Sequence, residues 1–246
     1  MYNIIMKKIL ISALIIIVAA LVIIARPKES GLIKIGIINP QSGPAGSIGE
    51  EVANTIKLAS STKLQFAFED DQCDSKKAVS AYLKLKQEGT RIFYLSCSGS
   101  LLAVAPLAKQ DGNLIVTGYA GSSEIRKTGD EVIRFIPDAL SIADAMSKYV
   151  ADKSGLKIGL LYEEQDYAKS VAMVLKEKLG SKIIAEERYV ATDTTFRTQI
   201  TKLKAQGIDT LLYIPTSDKA AQLVYKELQT LNYKPLIVGD VNVCEY

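Results

Sequence analysis

The fold is decided by the stretch Ile33-Lys34-Ile35-Gly36-Ile37-Ile38-Asn39-Pro40-Gln41-Ser42-Gly43-Pro44-Ala45-Gly46-Ser47-Ile48-Gly49. It begins with a β-rich apolar run and continues as a turn rich in Gly, Ser and Pro. Similar runs recur along the chain and alternate with amphipathic segments. This alternation predicts parallel strands that are connected by helices. The turn contains neither GxGxxG nor GK[ST], so it gives little support to nucleotide binding.

Nine apolar runs predict β-strands, and their nearly continuous apolar residues are typical of strands covered on both faces. The predicted strands are Ile33–Ile38, Leu64–Phe68, Ile92–Leu95, Leu114–Thr117, Val132–Ile136, Ile158–Leu161, Ile183–Tyr189, Thr210–Ile214 and Leu236–Val238. Amphipathic spacing predicts helices between them. These are Ser75–Gln87, a helix that runs from the turn at Ser98 to Asp111, Leu140–Asp152, Phe196–Gln206 and Ser217–Leu231.

A break at Ile136-Pro137-Asp138 divides the strands into two series. We therefore predict an α/β protein with two doubly wound, Rossmann-like parallel-sheet lobes joined by a hinge. The N-terminal lobe covers residues 33–138 and the second lobe covers 139–246. Ligands of open α/β sheets bind beyond the carboxyl ends of the strands. The turns after the strands are therefore expected to line a cleft between the lobes.

The beginning of the chain has the pattern of an export signal. Lys7 and Lys8 precede the apolar run Ile9–Ala25, which is interrupted only by Ser12. Residues 1–25 are therefore expected to be a signal peptide or a retained membrane anchor, followed by a linker over 26–32. Either alternative places the remainder outside the cytoplasm, in the periplasm or at the outer face of the cell membrane.

The composition excludes several classes of function. Lys and Arg total 30, Asp and Glu total 27, and the formal charge of the 246 residues is +3. Such a near-neutral chain has no basic footprint for nucleic acid. The chain contains no His, so catalytic triads and the common zinc sites are excluded. Cys97 is the one candidate nucleophile, and no obvious base would activate it. We therefore expect no enzyme, no metal and no cofactor.

The three cysteines fit an oxidising compartment. Cys73 and Cys97 each follow a predicted strand, and Cys244 lies near the end of the sequence. If the two strands are neighbours, Cys73 and Cys97 come within bridging distance. The alternative is a pair of buried free thiols.

Polar and aromatic residues at the strand ends are the candidate ligand-binding residues. Each also has a structural explanation, because Ser caps helices, acids favour helix starts and glycine-rich turns are commonly solvated loops. Acids near Tyr167 could meet an ammonium group, and Tyr167 could cover an apolar part of a ligand. The candidates are Ser42, Ser98, Tyr119, Ala120, Gly121, Ser122, Tyr167, Thr216 and Asp240.

These turns, in this order, resemble the type I periplasmic binding proteins of the Leu/Ile/Val-binding family. The resemblance runs from about Ile33 to Val241. The residues that carry it are Ile33-Lys34-Ile35-Gly36, Ser42-Gly43-Pro44, Asp70-Asp71-Gln72-Cys73-Asp74 with Ala78-Val79, Cys97-Ser98, Tyr167, Phe196 and Gly207-Ile208-Asp209.

The resemblance implies an extracytoplasmic solute-binding subunit that delivers a small molecule to an ABC permease in the membrane. It also implies that Ser98 and the turn Tyr119–Gly121 hold the α-carboxylate and ammonium groups of the ligand. Cys73 and Cys97 match the positions that the family joins by a disulfide, and we predict that they are linked.

Four positions depart from the family pattern. Gly121 replaces a hydroxyl residue, with Ser122 adjacent, and Ile48 replaces a tyrosine. Thr216 replaces an aromatic residue, and an expected acid is displaced to Asp240. These changes affect amino-acid specificity and leave the fold unchanged. The ligand class that the resemblance implies is a branched-chain amino acid or a similar small zwitterion or amide.

The chain is shorter than members of this family. We therefore expect a fragment with an incomplete second lobe, in which some apolar surface and sheet edges are uncovered. The alternative function is a membrane-anchored ligand sensor that uses the same lobes. A retained Ile9–Ala25 helix would favour that alternative.

Overall fold

The computed structural model describes residues 31–59, 61–240 and 243. The predicted signal or anchor segment, most of the linker and Cys244 lie outside the described residues. The strands are β1 (Ile33–Asn39), β2 (Leu64–Asp70), β3 (Ile92–Leu95), β4 (Leu114–Thr117), β5 (Val132–Arg134), β6 (Ile158–Glu163), β7 (Ile183–Tyr189), β8 (Thr210–Ile214) and β9 (Leu236–Gly239). The α-helices are α1 (Gly46–Leu58), α2 (Ser75–Gln87), α3 (Ser98–Asp111), α4 (Ala139–Ala151), α5 (Asp166–Leu179), α6 (Arg197–Ala205) and α7 (Asp218–Thr230).

The strands form two sheets, as predicted. The first has the order β2-β1-β3-β4-β5 and the second has the order β7-β6-β8-β9. The pairs β1–β3, β3–β4 and β4–β5 are parallel, and so are β6–β7, β6–β8 and β8–β9. We call the first sheet with α1 to α3 the first lobe, and the second sheet with α4 to α7 the second lobe. The lobe boundaries at 138 and 139 stay a prediction.

In each lobe the strand order reverses beside one central strand. The reversal lies between β1 and β3 in the first sheet and between β6 and β8 in the second. Connections leave such neighbouring strands in opposite directions, so a crevice opens beyond their carboxyl ends. The turns after these four strands are therefore the ones that the fold brings together.

Apolar packing covers the second sheet on both faces. One cluster joins α4 and α5 to β6 and β8, and another joins α6 and α7 to the opposite face. Every residue of β6 and β8 is buried, which agrees with the predicted coverage of both faces. The prediction is wrong for β2 and β7, whose residues alternate in exposure, because both are edge strands.

The first sheet is covered unequally. The helices α2 and α3 pack against one face, around residues such as Phe93 and Ile115. On the opposite face Tyr94 and Val116 are only half-buried, and Ile133 is exposed. Phe135, just after β5, is 74% exposed.

Several predicted element ends move by one or two residues, and capping residues mark the starts of α4 and α7. Asp138 precedes α4 and its side chain accepts a hydrogen bond from the Ser141 N–H. Ser217 precedes α7 and accepts one from the Ala220 N–H. β5 ends at Arg134 instead of the predicted Ile136, which lies in the segment that leads to α4. The alternation of elements is unchanged.

Cys73 and Cys97 form a disulfide, with Cα atoms 5.4 Å apart. The predicted reason was wrong in one respect, since β2 and β3 are not neighbours and β1 lies between them. The two cysteines meet because the turn after β2 continues beyond the strand. Gln72 and Cys73 have left-handed backbone angles, φ 51° and 56°, in that turn.

Candidate functional site

A cavity of about 230 Å³ lies between the two lobes. Its walls come mainly from the turns after β1, β3, β4, β6 and β8 and from the segment that connects the lobes. It therefore lies where the two strand orders reverse. The lining residues are Pro44, Ala45, Ile48, Gln72, Cys73, Ser96, Cys97, Ser98, Gly99, Gly118, Tyr119, Ile136, Pro137, Ile142, Glu163, Gln165, Asp166, Tyr167, Ala191 and Thr216.

Ser98 is the first residue of α3 and is nearly buried. Its Oγ accepts a hydrogen bond from the Ser122 N–H at 3.1 Å. This bond joins the turns after β3 and β4. The backbone N–H groups of the first helical turn have no partner within the helix. The Ser98 hydroxyl and these N–H groups can therefore donate hydrogen bonds to an acceptor atom in the cavity.

The turn after β4 is shaped by a buried threonine. Thr117 Oγ1 accepts hydrogen bonds from the N–H groups of Tyr119, at 3.2 Å, and Ala120, at 2.9 Å. Tyr119 lines the cavity, is 39% exposed and hydrogen bonds through its hydroxyl to Glu51 on α1. Ala120 is fully buried and does not line the cavity.

Gly121 and Ser122 also lie behind the cavity wall. A Cβ at position 121 would stand 2.8 Å from the ring of Tyr167, so glycine allows this ring to approach. Ser122 is buried, and its Oγ accepts from the Glu124 N–H at the start of a short 3₁₀ helix. Neither residue lines the cavity.

Tyr167 is the aromatic residue that the second lobe places in the cavity wall. Burial raises the pKa of its hydroxyl, and the charge of Asp240, which is hydrogen bonded to Tyr167, raises it further. Asp240 is nearly buried and does not line the cavity. The carboxylate therefore orients the ring from behind.

Glu163 and Thr216 complete the second-lobe wall. Glu163 ends β6 and is 1% exposed, and its Oε2 accepts a hydrogen bond from the Thr216 N–H at 3.2 Å. Burial raises the pKa of the Glu163 carboxyl, while hydrogen bonds from Thr216 and Tyr189 oppose this effect in part. The sequence placed Glu163 among acids near Tyr167 without singling it out. Its position at the end of a central strand is the signal that could have identified it.

Ser42 does not line the cavity. Its Oγ donates a hydrogen bond to Asp70 at 2.5 Å and accepts one from the Gln72 side chain at 2.6 Å. Burial raises the pKa of Asp70. The hydrogen bond from the Ser42 hydroxyl and those from nearby backbone N–H groups outweigh this effect, so the pKa lies below its ordinary value. Ser42 thus stabilises the turn beside the cavity.

The first two turns of α5 contact the first lobe at three positions. Asp166 lies against Gly99, Tyr167 lies against Gly121, and Ser170 hydrogen bonds to Ser123 with an Oγ–Oγ distance of 2.7 Å. The lobes are therefore in contact along α5, on one side of the cavity.

No cluster of three or more potential metal ligands occurs among the residues that the structure describes. Likewise, none of the helices in the described part of the chain combines the length and apolar character needed to span a bilayer.

Two α/β lobes with a cavity at their facing reversal points define a binding protein of the hinged, two-lobed class. The family model described as "Periplasmic binding protein" matches residues 32–239. The chain therefore belongs to this family, as a type I member of the Leu/Ile/Val-binding group. This confirms the resemblance found in the sequence.

Two relatives illustrate the similarity. A leucine-, isoleucine-, valine-, threonine- and alanine-binding protein of Pseudomonas aeruginosa is 28% identical over 192 residues, covering 72% of this chain and 52% of the relative. The Leu/Ile/Val-binding protein of Escherichia coli is 23% identical over 197 residues, covering 74% and 54%. The chain thus spans about half the length of these relatives.

Solved structures share the fold. A solute-binding protein of an ABC transporter from Rhodopseudomonas palustris BisB5, in complex with 3,4-dihydroxybenzoic acid, has a TM-score of 0.79 at 18% identity. The match covers 87% of this chain and 63% of that one. A leucine-binding protein from Thermotoga maritima has a TM-score of 0.73 at 17% identity. This match covers 86% of this chain and 64% of that one.

Membership has two consequences. The family consists of solute-binding proteins of ABC-type systems and not of enzymes, which agrees with the prediction from the sequence. It also implies an extracytoplasmic location.

Proposed function

We propose that the chain is the ligand-binding part of an extracytoplasmic solute-binding protein of an ABC importer. Its ligand is a branched-chain amino acid or a similar small zwitterion or amide. The observation that carries the proposal is the cavity between the lobes, which is lined by turns from both sheets. The named relatives bind branched-chain amino acids, and the neighbour from Rhodopseudomonas palustris BisB5 contains an aromatic acid.

In this proposal, Ser98 and Tyr119 contact the ligand from the first lobe, while Tyr167 and Thr216 contact it from the second. All four residues line the cavity. A ligand that touches both walls stabilises the closed arrangement by contacts that the open one lacks. Periplasmic binding proteins are a known example of such hinge closure. The remaining candidates support these residues: Gly121 and Asp240 position Tyr167, while Ala120, Ser122 and Ser42 shape the turns.

A thermal-shift panel followed by calorimetry tests the proposal. The panel contains branched-chain amino acids, small amines, amino-amides, short amides and small carboxylates, including hydroxybenzoates. A bound ligand raises the melting temperature by mass action. The variant Ile48→Trp fills the cavity from α1 and should abolish binding, whereas Leu58→Trp, at an exposed position at the end of α1, should not. If no panel member stabilises the protein, or if Ile48→Trp binds normally, the proposal is wrong.

Delivery to an ABC permease has its own test. Deleting the gene should abolish high-affinity uptake of the solute that binds. A cell that keeps this uptake but loses a response to the solute would instead support the ligand sensor.

A further inference from the structure

The charged side chains among the described lining residues all have the same sign. Two of the lining residues, Glu163 and Asp166, carry carboxyl groups. Within the described part of the chain, no lysine or arginine lines the cavity. A cavity with carboxylates and no basic side chain attracts a cation and repels an anion.

Glu163 and the acid that follows it in the chain differ in their charged neighbours. Glu164, the next residue, forms an ion pair with Arg188 at 3.1 Å. Glu163 is far more buried, yet it forms no ion pair among residues 31–59, 61–240 and 243. Its hydrogen-bond partners Thr216 and Tyr189 are neutral. A buried carboxylate is costly unless a cation accompanies it. A positively charged ligand would supply that cation.

Asp166 lies where a ligand carboxylate would be expected. The first turn of α3 offers free N–H groups, and such helix starts favour carboxylates. Asp166 Oδ2 is so close to Gly99, in that turn, that a Cβ on residue 99 would overlap it. Asp166 comes from the other lobe, at the first turn of α5. A ligand carboxylate at the same place would meet a like charge.

We propose that the ligand is a small organic cation without a free carboxylate: a protonated amine on an apolar body, with or without an amide. Glu163 is its counter-charge, and Asp166 disfavours ligands that carry a carboxylate. The apolar body contacts Ile136 and Ile142, and the ring of Tyr167 offers a face for the ammonium group. This inference rests on the proposed solute-binding function, and it replaces the amino acids and other zwitterions of that proposal with amines and amino-amides as the ligand class.

A matched ligand series tests the inference by calorimetry at neutral pH. Leucine, leucinamide, isoamylamine and isocaproate share one branched body and differ in charge. Phenylalanine, phenylalaninamide, phenethylamine and hydrocinnamate repeat the series with a larger body. In at least one series the amine and the amino-amide should bind about tenfold more tightly than the amino acid, and the anion should not bind.

Two results would overturn the inference. If amino acids or anions bind as tightly as the amines, the inference is wrong, but the proposed solute-binding function remains. Failure of every amine and amino-amide would also overturn the inference. Failure of the wider thermal-shift panel as well would remove the proposed function.

Two pairs of variants locate the effect. Glu163→Gln should weaken binding of the amine about tenfold or more, while the control Glu164→Gln should leave it nearly unchanged. Asp166→Asn should strengthen the binding of leucine and so bring its affinity closer to that of leucinamide. The control Asp218→Asn changes an acid in the first turn of α7 that lies outside the cavity wall. It should leave the difference between the two affinities unchanged. Unchanged amine binding by a cooperatively folded Glu163→Gln variant would contradict the proposal. If that variant does not fold, the ligand series and Asp166→Asn still decide it.

Discussion

The two walls of the cavity occupy equivalent places in their lobes, yet their chemistry differs. The first-lobe wall presents hydroxyl and backbone groups at Ser96, Ser98 and Gly99. The second-lobe wall presents the carboxyl groups of Glu163 and Asp166. Both walls follow from the reversal of strand order in a doubly wound sheet. The fold therefore determines where a ligand binds, while the side chains of each wall determine which charge it has.

The walls are also held in place differently. The disulfide between Cys73 and Cys97 lies in the first-lobe wall. In the second lobe, Tyr167 is oriented by Asp240, and Glu163 is held by Thr216. The first-lobe wall thus has a covalent link in addition to its hydrogen bonds, whereas the second-lobe wall is held by buried hydrogen bonds. The following predictions test this comparison.

The largest effect is expected when the first-lobe wall loses its covalent link. Replacing both Cys73 and Cys97 by Ser should lower the free energy of unfolding by about 3 kcal/mol, because the disulfide closes a loop of sequence separation 24. Urea unfolding measures the change, and wild-type protein under reducing conditions should show a similar loss. Equal stability of the double variant and the oxidised protein would contradict the prediction.

The connection between the lobes should show the next largest effect. Asp138 caps α4 of the second lobe and pairs with Arg126 and Arg134 of the first. Burial opposes ionisation, but hydrogen bonds from Arg126 and Ser141 outweigh it and lower the pKa of Asp138 from 3.8 to about 2. Asp138→Asn should therefore cost about 2 kcal/mol at neutral pH.

The pH dependence of this effect follows from the lowered pKa. The unfolded state takes up the proton first, so the contribution of Asp138 is present above the ordinary pKa and is lost as the pH falls towards 2. Unfolding measured at neutral and acidic pH should show the gap between wild type and variant closing. The control is Asp130→Asn, at an exposed position between the same two arginines in the sequence. It should change the free energy of unfolding very little. A gap that is independent of pH would contradict the role of the carboxylate.

A smaller effect on stability is expected at the first-lobe wall itself. Ser98→Ala removes the acceptor of the Ser122 N–H and should cost about 1 kcal/mol. We expect the loss of ligand affinity to be larger than this, because the hydroxyl also lies at the cavity. Calorimetry and unfolding measure the two effects, with the exposed Ser47→Ala as the control. Unchanged affinity would exclude Ser98 from the site.

The smallest effect has the opposite sign and concerns the second-lobe wall. The raised pKa of Glu163 means that its ionisation destabilises the folded state. Any stabilisation by the protonated form is present at low pH and lost as the pH rises through the folded pKa. Glu163→Gln should thus be more stable than wild type above neutral pH, and the difference should shrink as the pH falls and the Glu163 carboxyl of the wild type takes up its proton. Glu164→Gln should show no such gain in thermal unfolding.

Much of the fold could be predicted because the signals are local. The bounds of β3, β4, β7 and β8 agree with the predicted runs, since a short apolar run between turn residues defines a strand. The exposure of β2 and β7 could not be predicted, because an edge strand and a central strand can have similar apolar content. The position of β1 between β2 and β3 also required the sheet order.

The candidate site was predictable as a set of turns but not residue by residue. Ser98, Tyr119, Tyr167 and Thr216 line the cavity, while other candidates in the same turns lie behind it. A turn's place follows from the strand that precedes it. The direction of each side chain depends on hydrogen bonds to distant residues, such as the bond between Ser42 and Asp70.

The alternation of strands and helices and the family followed from the amino-acid sequence alone, because these depend on periodicity and on ordered short motifs. The tertiary structure was needed to show that Glu163 is buried with no ion pair among the described residues and that Asp166 reaches Gly99 in the other lobe. Acids before a helix look alike in a sequence whether they are solvated or enclosed. Their surroundings differ only after the two sheets bring residues together that are far apart along the chain.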